Sequence, residues 1–223
     1  MQIAAEFVLS ATSPDRLPAG GTPEIALVGR SNVGKSSLIN ALARRRVART
    51  GGAPGTTRAA NVYRLAHGTG PAFLLIDLPG YGYARGGSKA AQEFDELTRA
   101  YFDRTRRGER PVRQRRVTGG RAGGSSGTRP AGSELVGVIL AVDARHPGLR
   151  RDLDAHAWLS NERVPVMVVG TKIDKLTRGE RIRAHRELAD TFQGPVLPIS
   201  AVSGEGLDAL WKLIDRLVNS NNR

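Results

Sequence analysis

The sequence contains no cysteine, which excludes disulfides, thiolate metal sites and a cysteine nucleophile. It has little lysine: only 5 of its 34 basic residues are Lys, against 29 Arg. Long apolar runs are also missing. The longest, Leu135–Val142, has eight residues between Glu134 and Asp143, whereas a membrane-spanning helix needs about 20. No membrane insertion is therefore expected. Met1–Ser10 lacks a basic start and Glu6 interrupts its apolar stretch, so no secretory signal is expected either. The chain reads as soluble, cytoplasmic and monomeric. Its 223 residues suit one large domain, or a medium domain with additions.

What it does have is positive charge, unevenly placed. The formal net charge is +13. Residues Asp103–Ser133 hold nine Arg against Asp103 and Glu109, a net of +7. Residues Ala43–Ala60 hold Arg44, Arg45, Arg46, Arg49 and Arg58 with no acid, a net of +5. The rest of the chain is close to neutral. Arginine suits bidentate phosphate contacts, so the two patches point to nucleic acid, with Arg113, Arg115 and Arg116 as further candidates. The plainer alternative is solvated surface charge.

Apolar runs alternate with segments of helical period, the pattern of an α/β sheet. Strands are expected at Glu24–Gly29, Asn61–Ala66, Ala72–Asp77, Leu135–Asp143, Val164–Gly170 and Pro195–Ser200. Helices are expected at Lys35–Ala43, Ala90–Phe102, Leu149–Asn161, Thr177–Thr191 and Leu207–Val218. The last carries a one-sided stripe of Leu207, Leu210, Trp211, Ile214 and Leu217. Residues 1–22 read as an irregular lead-in with one short edge strand at Phe7–Leu9. Residues 103–133 hold seven Gly and no sustained periodicity. Such a segment buries too little apolar surface to offset its ordering entropy, and reads as a disordered insertion in a single domain spanning 23–223.

The strongest local signal is Gly29-Arg30-Ser31-Asn32-Val33-Gly34-Lys35-Ser36, which fits G-x-x-x-x-G-K-[ST] and lies between a strand and a helix. Its backbone N–H groups and the helix N-terminus suit phosphates. Lys35 is expected to reach the outer phosphates and the Ser36 hydroxyl to bind Mg²⁺. Asp77-Leu78-Pro79-Gly80 ends the third strand, so that Asp77 can hold Mg²⁺ through water and the Gly80 N–H can meet a γ-phosphate. Thr171-Lys172-Ile173-Asp174 follows the fifth strand. An Asp there can accept from the ring N–H and amino group of guanine, a pair that adenine does not offer. Ser200-Ala201-Val202 then places the Ala201 N–H near the guanine carbonyl. All four elements lie at strand ends, where open α/β sheets bind ligands. A P-loop kinase using ATP would leave Asp174 and Ala201 without a role.

With these motifs the chain resembles the EngB-type ribosome-assembly GTPases of the TrmE–Era–EngA-like branch. The matching stretches are GRSNVGKSSLINAL at Gly29–Leu42, DLPGYGYA at Asp77–Ala84, AVDARHPGLRRD at Ala141–Asp152, TKIDKL at Thr171–Leu176 and SAVSGEGLDAL at Ser200–Leu210. The resemblance implies a Ras-like P-loop GTPase domain with a mostly parallel six-stranded sheet and helices on both faces. It adds Ser37 and Gly55-Thr56-Thr57 to the GTP-binding set, with Thr57, or less readily Thr56, capping Mg²⁺ from the first switch. It also implies a role in assembling the large ribosomal subunit, through rRNA and proteins, and a link to cell division and septation. The family runs straight from helix to strand where this chain has 103–133, which serves as a weak salt-sensitive anchor or a tolerated linker.

Hydrolysis of GTP to GDP and phosphate needs an oriented water. Ras-type proteins supply a Gln soon after D-x-x-G, and here Tyr81 stands at that position. Turnover is therefore expected to be slow, with the catalytic group unassigned and the Gly-rich switches Ala48–Ala60 and Leu78–Ser88 ordering around the γ-phosphate. Asn32 resembles a P-loop Asn that holds K⁺ in some relatives. His67, His146, His156 and His185 have no metal-ligand spacing, so zinc is not expected. The alternative function is a GTP-dependent regulator of a protein partner, for example at the division septum, without RNA binding.

Overall fold

Strand β2 (Pro23–Gly29) shows why the chain folds into layers. All seven of its residues are buried. Alternate side chains of a pleated strand face opposite sides, so Ile25 and Leu27 join one apolar cluster while Ala26 and Val28 join another. A strand covered on both faces belongs in the interior of a parallel sheet. The computed structural model, which describes residues 2–18, 21–50, 59–81, 96–107 and 134–220, places it there.

Its companions are β1 (Ile3–Ala11), β3 (Ala60–His67), β4 (Phe73–Asp77), β5 (Glu134–Asp143), β6 (Val166–Thr171) and β7 (Val196–Pro198). The order is β1-β3-β4-β2-β5-β6-β7. Strands β4, β2, β5, β6 and β7 are parallel, and β3 and β1 add two antiparallel pairings at one edge. Helices α1 (Lys35–Ala43) and α5 (Leu207–Ser220) cover the Ile25 face through Ile39, Leu42, Trp211 and Ile214. Helices α2 (Glu96–Arg107), α3 (Arg150–Leu159) and α4 (Arg178–Phe192) cover the other through Tyr101, Phe102, Leu159 and Leu188. Thr177 starts α4 with a capping box, its side chain accepting from the Glu180 N–H while the Glu180 carboxylate accepts from the Thr177 N–H.

The sheet has seven strands rather than six. The lead-in is a nine-residue strand paired with β3, broken by an irregularity between Phe7 and Leu9. Its mostly exposed edge position removes the alternation that marks a half-buried strand. The segment 103–133 also begins differently, because α2 continues to Arg107. Acids from distant elements hold that last turn. Arg104 reaches Glu24 at 3.3 and 3.4 Å, and the Tyr101 hydroxyl donates to the same carboxylate at 2.8 Å. Arg106 donates from Nε to Glu162 at 2.9 Å and lies over the Trp158 ring at 6.0 Å. These arginines are ion-pair partners within the fold, which composition alone does not separate from free basic charge. Arg113, Arg115 and Arg116, and the start of the expected helix at 90–95, lie outside the described residues.

Glu24 and Arg104 are almost fully enclosed, so removing one partner strands a charge away from water. Glu24→Ala is expected to cost about 3–5 kcal/mol in denaturant unfolding, and the double apolar replacement Glu24→Leu/Arg104→Met markedly less. A double variant as unstable as the sum of its singles would show that the two groups are not coupled and would refute this account.

Candidate nucleotide-binding site

The phosphate loop leaves β2 at Gly29 and enters α1 at Lys35, and Gly34 takes a φ of 112° to make that turn. The loop is held from the end of β6, the strand beyond the adjacent β5. The Thr171 hydroxyl lies 2.7 Å from the Val33 carbonyl and 3.0 Å from that of Val142. Lys172 donates to the Asn32 carbonyl at 2.6 Å and to Asp143 at 3.0 Å. Lys35 donates to the Gly29 carbonyl at 3.1 Å.

Asp77 ends β4 and is buried. Its Oδ1 has no hydrogen-bond partner among the described residues. Burial pushes its carboxyl up to about 6, against the pull of the nearby Lys35 ammonium, and burial likewise lowers Lys35. An unpartnered carboxylate oxygen, with the Ser36 hydroxyl in the first turn of α1, is a set of hard oxygen donors that fits Mg²⁺. Gly80 follows in close contact with the phosphate loop, where a Cβ would stand 2.8 Å from the Ser31 nitrogen. Arg30 and Tyr81 form a β-bridge, and the Ser31 N–H donates to the Tyr81 carbonyl at 3.4 Å. The Tyr81 hydroxyl donates to Asp152 at 2.8 Å, and Arg30 Nε reaches both oxygens of Asp152 at 3.0 and 3.2 Å.

At the other end of the site, Asp174 sits on a 3-10 turn, Ile173–Lys175. The Ser200 hydroxyl donates to it at 2.9 Å and accepts from the N–H groups of Val202 and Ser203 at 3.2 and 3.0 Å. One side chain thus aims the carboxylate and shapes the turn that carries Ala201. The parallel strands β2, β4, β6 and β7 therefore bring Gly29–Ser36, Asp77–Gly80, Thr171–Asp174 and Ser200–Val202 to one edge of the sheet. Gly55, Thr56, Thr57 and Arg58 lie outside the described residues.

A family model described as a 50S ribosome-binding GTPase matches residues 24–108. A probable GTP-binding protein EngB from Anaeromyxobacter sp. (strain K) is 40% identical over 218 residues, covering 94% of this chain and 88% of that protein. The counterpart from Geobacillus kaustophilus (strain HTA426) is 34% identical and covers 93% of each chain. The chain belongs to the EngB family of GTP-binding proteins. Among solved structures, this EngB chain is similar to a probable GTP-binding protein EngB with a TM-score of 0.58, at 22% identity and covering 88% of this chain and 99% of that one. It is also similar to Era in complex with MgGDPNP and nucleotides 1506–1542 of 16S ribosomal RNA, with a TM-score of 0.61 at 22% identity, covering 88% of this chain and 57% of that one. At these identities the likeness speaks for the Ras-like P-loop fold.

Motif reading does not single out Asp143, Arg145 or Asp152 in this EngB site. Asp143, at the end of β5, accepts from Lys172 and from Arg145, the latter at 3.0 and 2.8 Å. Burial alone would raise its carboxyl, but these hydrogen bonds together outweigh it and hold it well below the usual range. Asp152, on α3, is pushed up by burial against its bonds to Tyr81 and Arg30. For Asp143 the available signal was a carboxylate at the carboxyl end of a parallel strand.

The raised carboxyl of Asp77 predicts a pH effect. Its folded value lies above the unfolded one, so its stabilising contribution is greatest in acid and is lost as pH rises from about 4 to about 6. In nucleotide-free protein, the unfolding free energy of wild type relative to Asp77→Asn is expected to fall across that window by up to about 3 kcal/mol. A pH-independent difference would refute the assignment.

Proposed function

We propose that this EngB protein is a slowly hydrolysing GTP switch that assists assembly of the large ribosomal subunit in the cytoplasm. The observation that carries the guanine reading is Asp174, held by Ser200 at the same sheet edge as the phosphate loop and Asp77. Its carboxylate suits the ring N–H and amino group of guanine, and charge-assisted bonds of this kind contribute about 1.5–3 kcal/mol each. The loop amides and Lys35 hold the outer phosphates, and Ser37 lines the same helix start. Ser36 and Asp77, joined by Thr57 or Thr56, hold Mg²⁺, which when bound neutralises charge on the β- and γ-phosphates. The Gly80 N–H meets the γ-phosphate. Tyr81 stands where a water-orienting Gln is found in Ras-type proteins, and its hydroxyl is engaged with Asp152, which supports slow turnover without a partner.

The ribosomal partner is supported by the description of the matching family model. It also draws on an arginine surface beside the site. After α1, the Asn40 side chain donates to the Ala48 carbonyl at 2.9 Å and accepts from the N–H groups of Val47 and Ala48 at 2.8 Å each. That clamp turns the chain so that Arg44, Arg45, Arg46 and Arg49 are exposed. Exposed arginines without intervening acid suit a phosphate backbone. The link to cell division rests on the family resemblance.

Co-sedimentation with large ribosomal subunits tests this reading. Binding is expected with a non-hydrolysable GTP analogue and not with GDP, and it weakens steeply with salt. Arg45→Ala/Arg46→Ala is expected to lower the log–log salt slope by about one for each phosphate that the variant no longer engages. Absence of binding in both nucleotide states would sink the ribosomal reading, and salt-insensitive binding would favour a protein partner. Asn32 is proposed as a K⁺ ligand, so GTP turnover is expected to be faster in KCl than in NaCl. Equal rates in the two salts remove K⁺ from the mechanism.

A further inference from the structure

Asp152 is a buried carboxylate that the chemistry above does not use. Only 1% of it is exposed, and it belongs to α3, away from every nucleotide motif. Yet both of its side-chain partners sit beside the phosphates in sequence. Arg30 is the first variable residue of the phosphate loop, and Tyr81 directly follows Gly80.

The geometry fixes Tyr81 at both ends. Its main chain bridges Arg30, and its carbonyl accepts from the Ser31 N–H. Its hydroxyl is tied to Asp152, which Arg30 also grips through both carboxylate oxygens. Gly80 therefore has little room to shift: it abuts Ser31 on one side and is joined on the other to a residue anchored at backbone and hydroxyl. GTP and GDP differ by one phosphoryl group, so only groups aimed at that phosphoryl distinguish them.

We propose that Asp152 is a positioning residue that, through Tyr81 and Arg30, holds the Gly80 amide where it meets the γ-phosphate, so that α3 takes part in telling GTP from GDP. This rests on the GTP-switch reading and names a device within it. A hydrogen bond to a charged partner that forms only with the γ-phosphate raises affinity for GTP and leaves that for GDP alone. A purely structural role for Asp152 would instead lower stability, or weaken both nucleotides in the same proportion.

The test is equilibrium titration of the full chain, in Mg²⁺, with fluorescent GDP and a fluorescent non-hydrolysable GTP analogue. Wild type, Tyr81→Phe and Asp152→Asn are compared. Both variants are expected to raise the Kd for the GTP analogue about tenfold and to change that for GDP by less than about twofold. Tyr81→Phe removes one hydroxyl and keeps the ring in the core, so it serves if Asp152→Asn does not fold. An unchanged ratio of the two Kd values in Tyr81→Phe overturns the proposal. A wild type that binds neither nucleotide overturns the GTP reading on which it rests.

Discussion

The grip of Thr171 and Lys172 on the carbonyls of Val33 and Asn32 is the constraint on which the rest of the site depends. A phosphate loop and a base-reading loop come from different strands, and a nucleotide can bridge them only if their separation is set beforehand. Parallel strands β2 and β6, with β5 between them, bring the two loops to the same end of the sheet. The two side chains at the end of β6 then join one to the other through direct bonds, so residues that neighbour Asp174, the proposed reader of the base, also hold the phosphate loop. Asp143 completes this arrangement. By drawing Lys172 and Arg145 onto one carboxylate it fixes the lysine from below, and the balance of burial against two cationic partners keeps that carboxylate ionised.

Buried electrostatics of opposite kinds meet within this site. Asp143 is surrounded by donors and is held low, whereas Asp77 keeps one oxygen without a partner among the described residues and is driven up by burial. The first pattern belongs to a carboxylate whose task is structural. The second suits a cation in a way that the first does not.

Much of this was legible in the residues themselves. β2, β4 and β5 announce themselves as short apolar runs because both of their faces are covered, and α5 because only one of its faces is. The places of the phosphate loop, Asp77 and Asp174 at strand ends are legible for another reason: their motifs keep a fixed spacing whatever packs around them. What could not be read depends on long-range pairing. β1 is a strand because β3 offers it an edge, and its own side chains carry little periodicity. Arg104 and Arg106 look like surface charge until Glu24 and Glu162, 80 and 56 residues away, are placed against them. The contact that Asp152 makes is invisible to motif reading for the same reason, since Tyr81 lies 71 residues before it.

The Glu24 anchor reaches further than the stability of α2. Glu24 pairs across the sheet with Leu135 at the start of β5, while its carboxylate holds Arg104 near the end of α2. The two ends of the intervening chain are thus tethered to one residue at the pole of the sheet opposite Gly29. Closing a loop between tethered ends depends only logarithmically on its length, so doubling it adds about 0.6 kcal/mol. The anchors on either side of the stretch between Arg107 and Glu134 are accordingly set side by side at the pole opposite Gly29 by one carboxylate and one strand pairing, before the length of that stretch enters.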